Sequence, residues 1–271
     1  ELGVSEMIQR KSVHEDNRRN RWRALAGACA ALFGIGAAMG QPGPAVGWGG
    51  NTGGQASPPP GDFSAVVGGF GFSLGVREDG TLLGWGDNFH GQLNVPAGTF
   101  RAVAAGDGHG VALRTDGTLE AWGLNVVGQA VAPAGTYTAI ASCFFHNIAI
   151  RADSTLVGWG YNMYGQTNVP TGTFRAIATG DHHGIGVRMD GTLAHWGRDA
   201  HGLSDVPTGQ FAAVAAGTDF SLALRTDGTL VGWGYNNFGQ TSVPAGAFVG
   251  IAAGIHISFD HQQAAHLRIP V

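Results

Sequence analysis

"FRAVAAGDGHGVALRTDGTLEAWGLNVVGQ", residues Phe100 to Gln129, holds three short apolar runs divided by glycine-rich breaks. Phe100–Gly106 gives a first strand, His109–Arg114 a second and Thr118–Gly123 a third. "TDGT" (Thr115–Thr118) joins the last two, and Asp-Gly between apolar runs is a tight-hairpin signal. The apolar spacing of a long helix is absent from the body of the chain.

The same phrase returns along the chain. Trp48, Trp85, Trp122, Trp159, Trp196 and Trp233 are spaced at 37 residues throughout. Three further columns keep the step: Asn (Asp once) three residues after each Trp, Gly at six and Pro at eleven. A fixed period of this size means a solenoid, a propeller or an array. In the second strand one face carries large residues (Val111 and Leu113, Ile148 and Ile150) and the other small ones (Gly110 and Ala112, Asn147 and Ala149). That suits blades stacked face to face, with the Ala-rich first strand crowding an axis, so the fold class is an all-β propeller of about three-stranded blades.

The body begins with a third strand, "AVGWG" (Ala45–Gly49), and ends with a first and second strand around Val249–Phe259. Together they would close the ring and remove the sheet edges. Five continuous units and this composite one make six blades, with seven as the alternative.

Charge and address come next. The chain has 271 residues with 47 Gly, and 13% are charged, against about 25% in ordinary domains. The first 40 residues hold the only Lys (Lys11) and five Arg; the remaining 231 hold nine Arg and fifteen acidic residues. Displacing counterions from phosphates needs clustered cations, so a Lys-free, acidic body argues against nucleic acid and anionic membranes. Arg18, Arg19, Arg21 and Arg23 precede an apolar run from Ala24 to Gly40, the order of a secretory signal. The expected organisation is a targeting segment over 1–40 and a propeller over 41–271, secreted, periplasmic or at the cell surface. Cys143 stands alone in the body, so no disulfide forms within it.

The repeated columns are scaffold. The Trp side chains are the largest expected buried payload, at about 150–250 Å² each. Asn and Gly suit tight turns, and the Gln after the Gly (Gln55, Gln92, Gln129, Gln166, Gln240) is expected to bond loop backbone. His109, His146 and His183 share a column with Phe72 and Phe220. Phe cannot ligate a metal, so that column is packing or capping. Phosphate loops, nucleophile elbows and Cys-rich metal spacings do not occur in the sequence. No catalytic residue, metal ligand or cofactor is assigned, and the protein is expected not to be an enzyme.

Positions that escape the repeat are more telling. Four and five residues after the Trp stand Phe89 and His90, Val126 and Val127, Met163 and Tyr164, Ala200 and His201, Asn237 and Phe238. Between the first and second strands stand Gly71, Gly108, Phe145, His182, Asp219 and His256. Loops on a rigid scaffold concentrate binding residues, and aromatics and Met are typical of interfaces.

"AAGDGHGVALRTDGTLEAWGLNVVGQ" (Ala104–Gln129) and "GWGYNNFGQTSVPAG" (Gly232–Gly246) resemble the regulator of chromosome condensation repeat family. In unit length and in the phase of its ends the chain is most similar to the secreted, propeller-type β-lactamase inhibitory proteins. The nuclear, nucleotide-exchange branch fits less well. The resemblance implies a propeller without enzymatic activity that binds a protein partner through loops on one face. Carried over by position, the contacting residues are Phe89, His90, Tyr164, His201 and Phe238 after the Trp, with Phe145 and His182 from the other loop. Met163 joins this partner-binding set as an apolar neighbour of Tyr164. The expected function is a secreted, monomeric binding protein that engages a protein partner, such as a β-lactamase it inhibits. A propeller lectin binding surface glycans is the alternative, and repeated identical pockets would favour it.

Overall fold

The computed structural model describes residues 43–47 and 50–254. The targeting segment at 1–40, Trp48 and His256 lie outside the described residues.

One four-stranded and four three-stranded antiparallel sheets follow one another along the chain. The first blade is β2 (Asp62–Gly68), β3 (Phe72–Arg77) and β4 (Leu82–Gly86), with a two-residue β1 (Gly43–Pro44) paired to β2. The second is β5 (Phe100–Ala105), β6 (His109–Arg114) and β7 (Leu119–Gly123). The third is β8 (Tyr137–Cys143), β9 (His146–Arg151) and β10 (Leu156–Gly160). The fourth is β11 (Phe174–Thr179), β12 (His183–Arg188) and β13 (Leu193–Gly197), and the fifth β14 (Phe211–Ala216), β15 (Phe220–Arg225) and β16 (Leu230–Gly234).

The expected hairpins are in place. At each, an Asp carboxylate accepts the backbone N–H and the hydroxyl of the Thr two residues on, as Asp116 does from Thr118 at 2.9 and 2.7 Å. Gly117 takes the positive φ of 89° that the turn requires. The third blade places Ser154 there at φ 68°, in a region that costs a side chain energy.

Blades stack as the two faces of the second strand imply. A Cβ at Gly184 would lie 2.3 Å from Trp196, so the small face makes room for the blade's own indole. The large face meets the next blade: Leu74 and Val76 share a core cluster with Phe100, Val103 and Ala112, and Ile185 and Val187 share one with Phe211 and Val214. Each Trp indole N–H donates to a loop carbonyl of the preceding unit, from Trp85 to Gln55 at 2.9 Å through Trp233 to Leu203 at 3.0 Å.

Trp85, Trp196 and Trp233 are buried, as expected of the Trp column, and a second aromatic column lies deeper still. Phe63, Phe100, Tyr137, Phe174 and Phe211 are at most 2% exposed, whereas Trp122 and Trp159 are only half-buried because the third strand lies outermost. The Phe column opens the first strand, just before a bulge that recurs in at least four blades, as between Phe100 and Ala102. The bulged Arg101 reaches across to the Tyr137 carbonyl of the next blade at 2.6 Å.

One expectation is corrected, the strand over Ala45–Gly47. Ala45–Gly47 form no strand; Gly43 and Pro44 pair instead with Phe63 and Asp62. Residues 249–254 are likewise without strand pairing, and the segments expected to partner them fall outside the described residues. Ile251 and Ala253 nonetheless pack on Phe220 and Leu222, the surface a further blade would cover.

Candidate functional site

Two loops project from the same end of every blade: the turn between its first and second strands and the loop after its third. Backbone hydrogen bonds tie them together. The N–H two residues after the Trp donates to the turn carbonyl in each blade, as Tyr161 to Phe145 and Arg198 to His182, both at 2.8 Å. The Asn column holds the long loop by accepting the N–H five residues on, as Asn162 does from Thr167 at 2.9 Å. The Gln column accepts the N–H two residues back, presenting His90, Val127, Tyr164 and Phe238. This is the backbone role expected of Gln. The fourth blade has Leu203 in its place, and there His201 turns to φ 57°.

The scaffold thus fixes backbone and leaves the intervening side chains free. Phe89 is 85% exposed, Met163 74% and Phe238 60%. Of eleven large apolar side chains exposed among the described residues, eight lie in these loops: Phe70, Phe89, Val126, Val127, Val131, Met163, Tyr164 and Phe238.

The expected site residues gather in three places. Phe145, Tyr164 and His182 meet in one aromatic cluster with Phe144 and Tyr161. Phe145 stacks on Phe144 at 4.2 Å, and His182 lies edge-on to Tyr164 at 4.8 Å. Met163 joins it by accepting a hydrogen bond on Sδ from the Tyr161 hydroxyl at 3.3 Å. Arg198 sets its guanidinium 5.7 Å from the Tyr164 ring centre and 3.5 Å from the Asp219 carboxylate. Burial holds the His182 pKa below the ordinary histidine value, Arg198 adds to this, and Asp219 opposes it. His201 and Phe238 both contact Tyr235, at 5.0 and 6.1 Å. Phe89 and His90 form a separate edge-on pair at 4.9 Å.

The histidine column below these loops is internal, as expected. His109 Nε2 lies 2.8 Å from Asn147 Oδ1 and 3.1 Å from Ser142 Oγ, and His183 Nε2 lies 3.0 Å from Ser221 Oγ. His146 has Gly184 opposite where the others find a polar side chain. Burial pushes His109 down to about 4 and His146 and His183 to about 3.

The model of the regulator of chromosome condensation (RCC1) repeat matches residues 63–92, 100–129 and 211–240, the first, second and fifth blades with their loops. The chain thus carries RCC1 repeats on an RCC1-like propeller fold. Solved structures share the architecture. The ectodomain of the receptor kinase CR4 from Physcomitrella patens is 27% identical over 74% of this chain, with a TM-score of 0.61, and this chain covers 60% of that ectodomain. The ACR4 ectodomain from Arabidopsis thaliana is 22% identical over 73% of this chain and 78% of its own, with a TM-score of 0.60. Prp20p from Saccharomyces cerevisiae is 21% identical over 68% and 61%, with a TM-score of 0.57. None of the curated proteins matches the chain.

The third and fourth units, outside the matched residues, carry the departures: Cys143 for Gly, Ser154 for Gly and Leu203 for Gln. They also carry the aromatic cluster. Sequence reading passed over Phe144, Tyr161 and Arg198, although each stands in a column that changes from blade to blade.

Proposed function

We propose that this RCC1-repeat propeller is a secreted, monomeric, non-enzymatic binding protein. Its loop face engages a protein partner, a secreted or periplasmic enzyme such as a β-lactamase, and inhibits it. The observation that carries this reading is the crowding of exposed Phe, Tyr, Met and Val onto one end of a rigid scaffold, since exposed apolar patches mark interaction sites. A neighbour of the same fold, Prp20p, is described by its binding to Gsp1p and histones, which is a use of this fold for holding proteins. The loops differ from blade to blade, so they offer one composite surface rather than a repeated glycan pocket.

The test is inhibition and capture across a panel of β-lactamases with the full chain. Tyr164→Ala, Phe145→Ala and Phe238→Ala together are expected to abolish binding and to lower the melting temperature by no more than a few degrees, since Tyr164 and Phe238 are exposed and Phe145 is half-buried. Binding that survives all three moves the site off this face.

A further inference from the structure

Charge is divided unevenly between the two ends of the blades. Among the described residues the loop end carries Asp87, Asp107, Asp181, Asp199, Asp205 and Asp219 against Arg198 alone, a net charge of −5. The other eight carboxylates are offset by seven Arg, a net charge of −1. The exposed aromatic rings therefore stand in a negative field, and such a face draws a positive surface toward it and repels a negative one.

One sector shows how a cation seats there. Arg198 lies over the Tyr164 ring with the Asp219 carboxylate 3.5 Å from its guanidinium, so ring face and carboxylate share one cation. The first blade also sets a ring beside a carboxylate, at different loop positions and without an Arg. Phe89 is the most exposed of the large apolar side chains, and its backbone N–H donates to Asp87 Oδ1 at 3.3 Å, which holds the carboxylate beside it. Asp87 Oδ2 accepts from Gln92 Nε2 at 3.2 Å. Neither ion pair found among the described residues reaches this corner.

We propose that the loop face takes a basic segment of its protein partner, with an Arg or Lys side chain on Phe89 against Asp87, as Arg198 lies on Tyr164 against Asp219. The proposal rests on the docking face described above and adds the chemistry of what docks.

The test uses the full chain and two labelled synthetic peptides with the same aromatic residues, one carrying Arg and the other Glu at every charged position. In fluorescence anisotropy the Arg peptide is expected to bind at least about tenfold tighter at low salt, the gap closing as salt screens the face. Asp87→Asn and Phe89→Ala should each weaken the Arg peptide severalfold and leave the Glu peptide unchanged; Asp116→Asn, at the other end, should change neither. Equal binding of the two peptides, no binding of the Arg peptide, or indifference to Asp87→Asn overturns the proposal. The outcomes separate from those of the docking face itself. If both peptides need Tyr164 and Phe145 but bind equally, the face stands and the basic partner falls. If neither peptide needs those rings, the face falls as well.

Discussion

The two ends of each blade obey opposite rules. At the hairpin end, side chains and backbone repeat together: Asp79, Asp116, Asp153, Asp190 and Asp227 each accept from the Thr two residues on. Arg114, Arg188 and Arg225 each lie 4.9 Å over the Phe that opens their blade. At the loop end only the backbone repeats. Asn and Gln carboxamides hold it, and the side chains between them range from Val to Tyr. Where a side chain must close its own turn it cannot vary; where neighbours two and five residues away close the turn, it can.

Acid separates the ends most strongly. The His109, His146 and His183 rings lie directly under the loops, and their folded pKa values sit well below the unfolded 6.5. Between those values the unfolded chain binds protons that the folded chain refuses. Their stabilising contribution is therefore complete above about pH 6.5 and lost as pH falls toward 4, at up to about 4 kcal/mol per pH unit for three sites. A domain holds only about 5–15 kcal/mol, so the loop end should open between roughly pH 5 and 4. The hairpin carboxylates, held below 3.8 by their Thr hydrogen bonds, keep their contribution until pH falls under that value. Hydrogen exchange against pH should show amides around Phe144–His146 losing protection before those around Asp116–Thr118. His146→Phe should flatten the dependence of the urea midpoint on pH by about a third, Phe being what this column already holds at Phe72 and Phe220.

Core truncation comes next. Phe174→Ala should cost about 3–5 kcal/mol in urea unfolding, because its ring is 1% exposed and fills the interface between blades. Trp159→Ala should cost about half of that, since the indole is half-buried and gives up one hydrogen bond, to the Gln129 carbonyl at 3.1 Å. Equal costs would return the indole column to the centre of the stability argument.

Almost the whole frame could be read from the sequence, because every strand, hairpin and loop anchor recurs at 37 residues. Depth was less legible than size. Indole is larger than phenyl, yet Trp sits on the outermost strand and Phe on the innermost, and residue volume does not record radial position. The loops were legible as variable but not as neighbours. Phe144, Tyr161 and His182 come from two blades and meet only because one loop carbonyl accepts the N–H of Tyr161 and the next that of Arg198. A column holding Asp87, Leu124, Tyr161, Arg198 and Tyr235 shows freedom at each site and nothing of what lies across the blade boundary. Leu203, the single break in the Gln column among the described blades, did mark the loop whose backbone changes.

The smallest effect tests the comparison where the hairpin end breaks its own rule. Ser154 occupies the turn position that Gly80, Gly117, Gly191 and Gly228 fill elsewhere, and it carries the same left-handed backbone, at φ 68° against 82–89°. Its Asp153 still accepts from Thr155 at 2.9 and 2.6 Å, so the turn is intact and the strain falls on the Ser backbone alone. Ser154→Gly should therefore stabilise the protein by about 0.5–1 kcal/mol, the left-handed strain relieved exceeding the extra chain entropy of Gly. Gly117→Ser, its mirror in the second blade, should destabilise by a similar amount, and neither should alter partner binding. A gain from Ser154→Gly with a change in binding would mean the two ends of the blade are coupled through the second strand. No gain would mean that the serine is held there by contacts that offset its backbone strain.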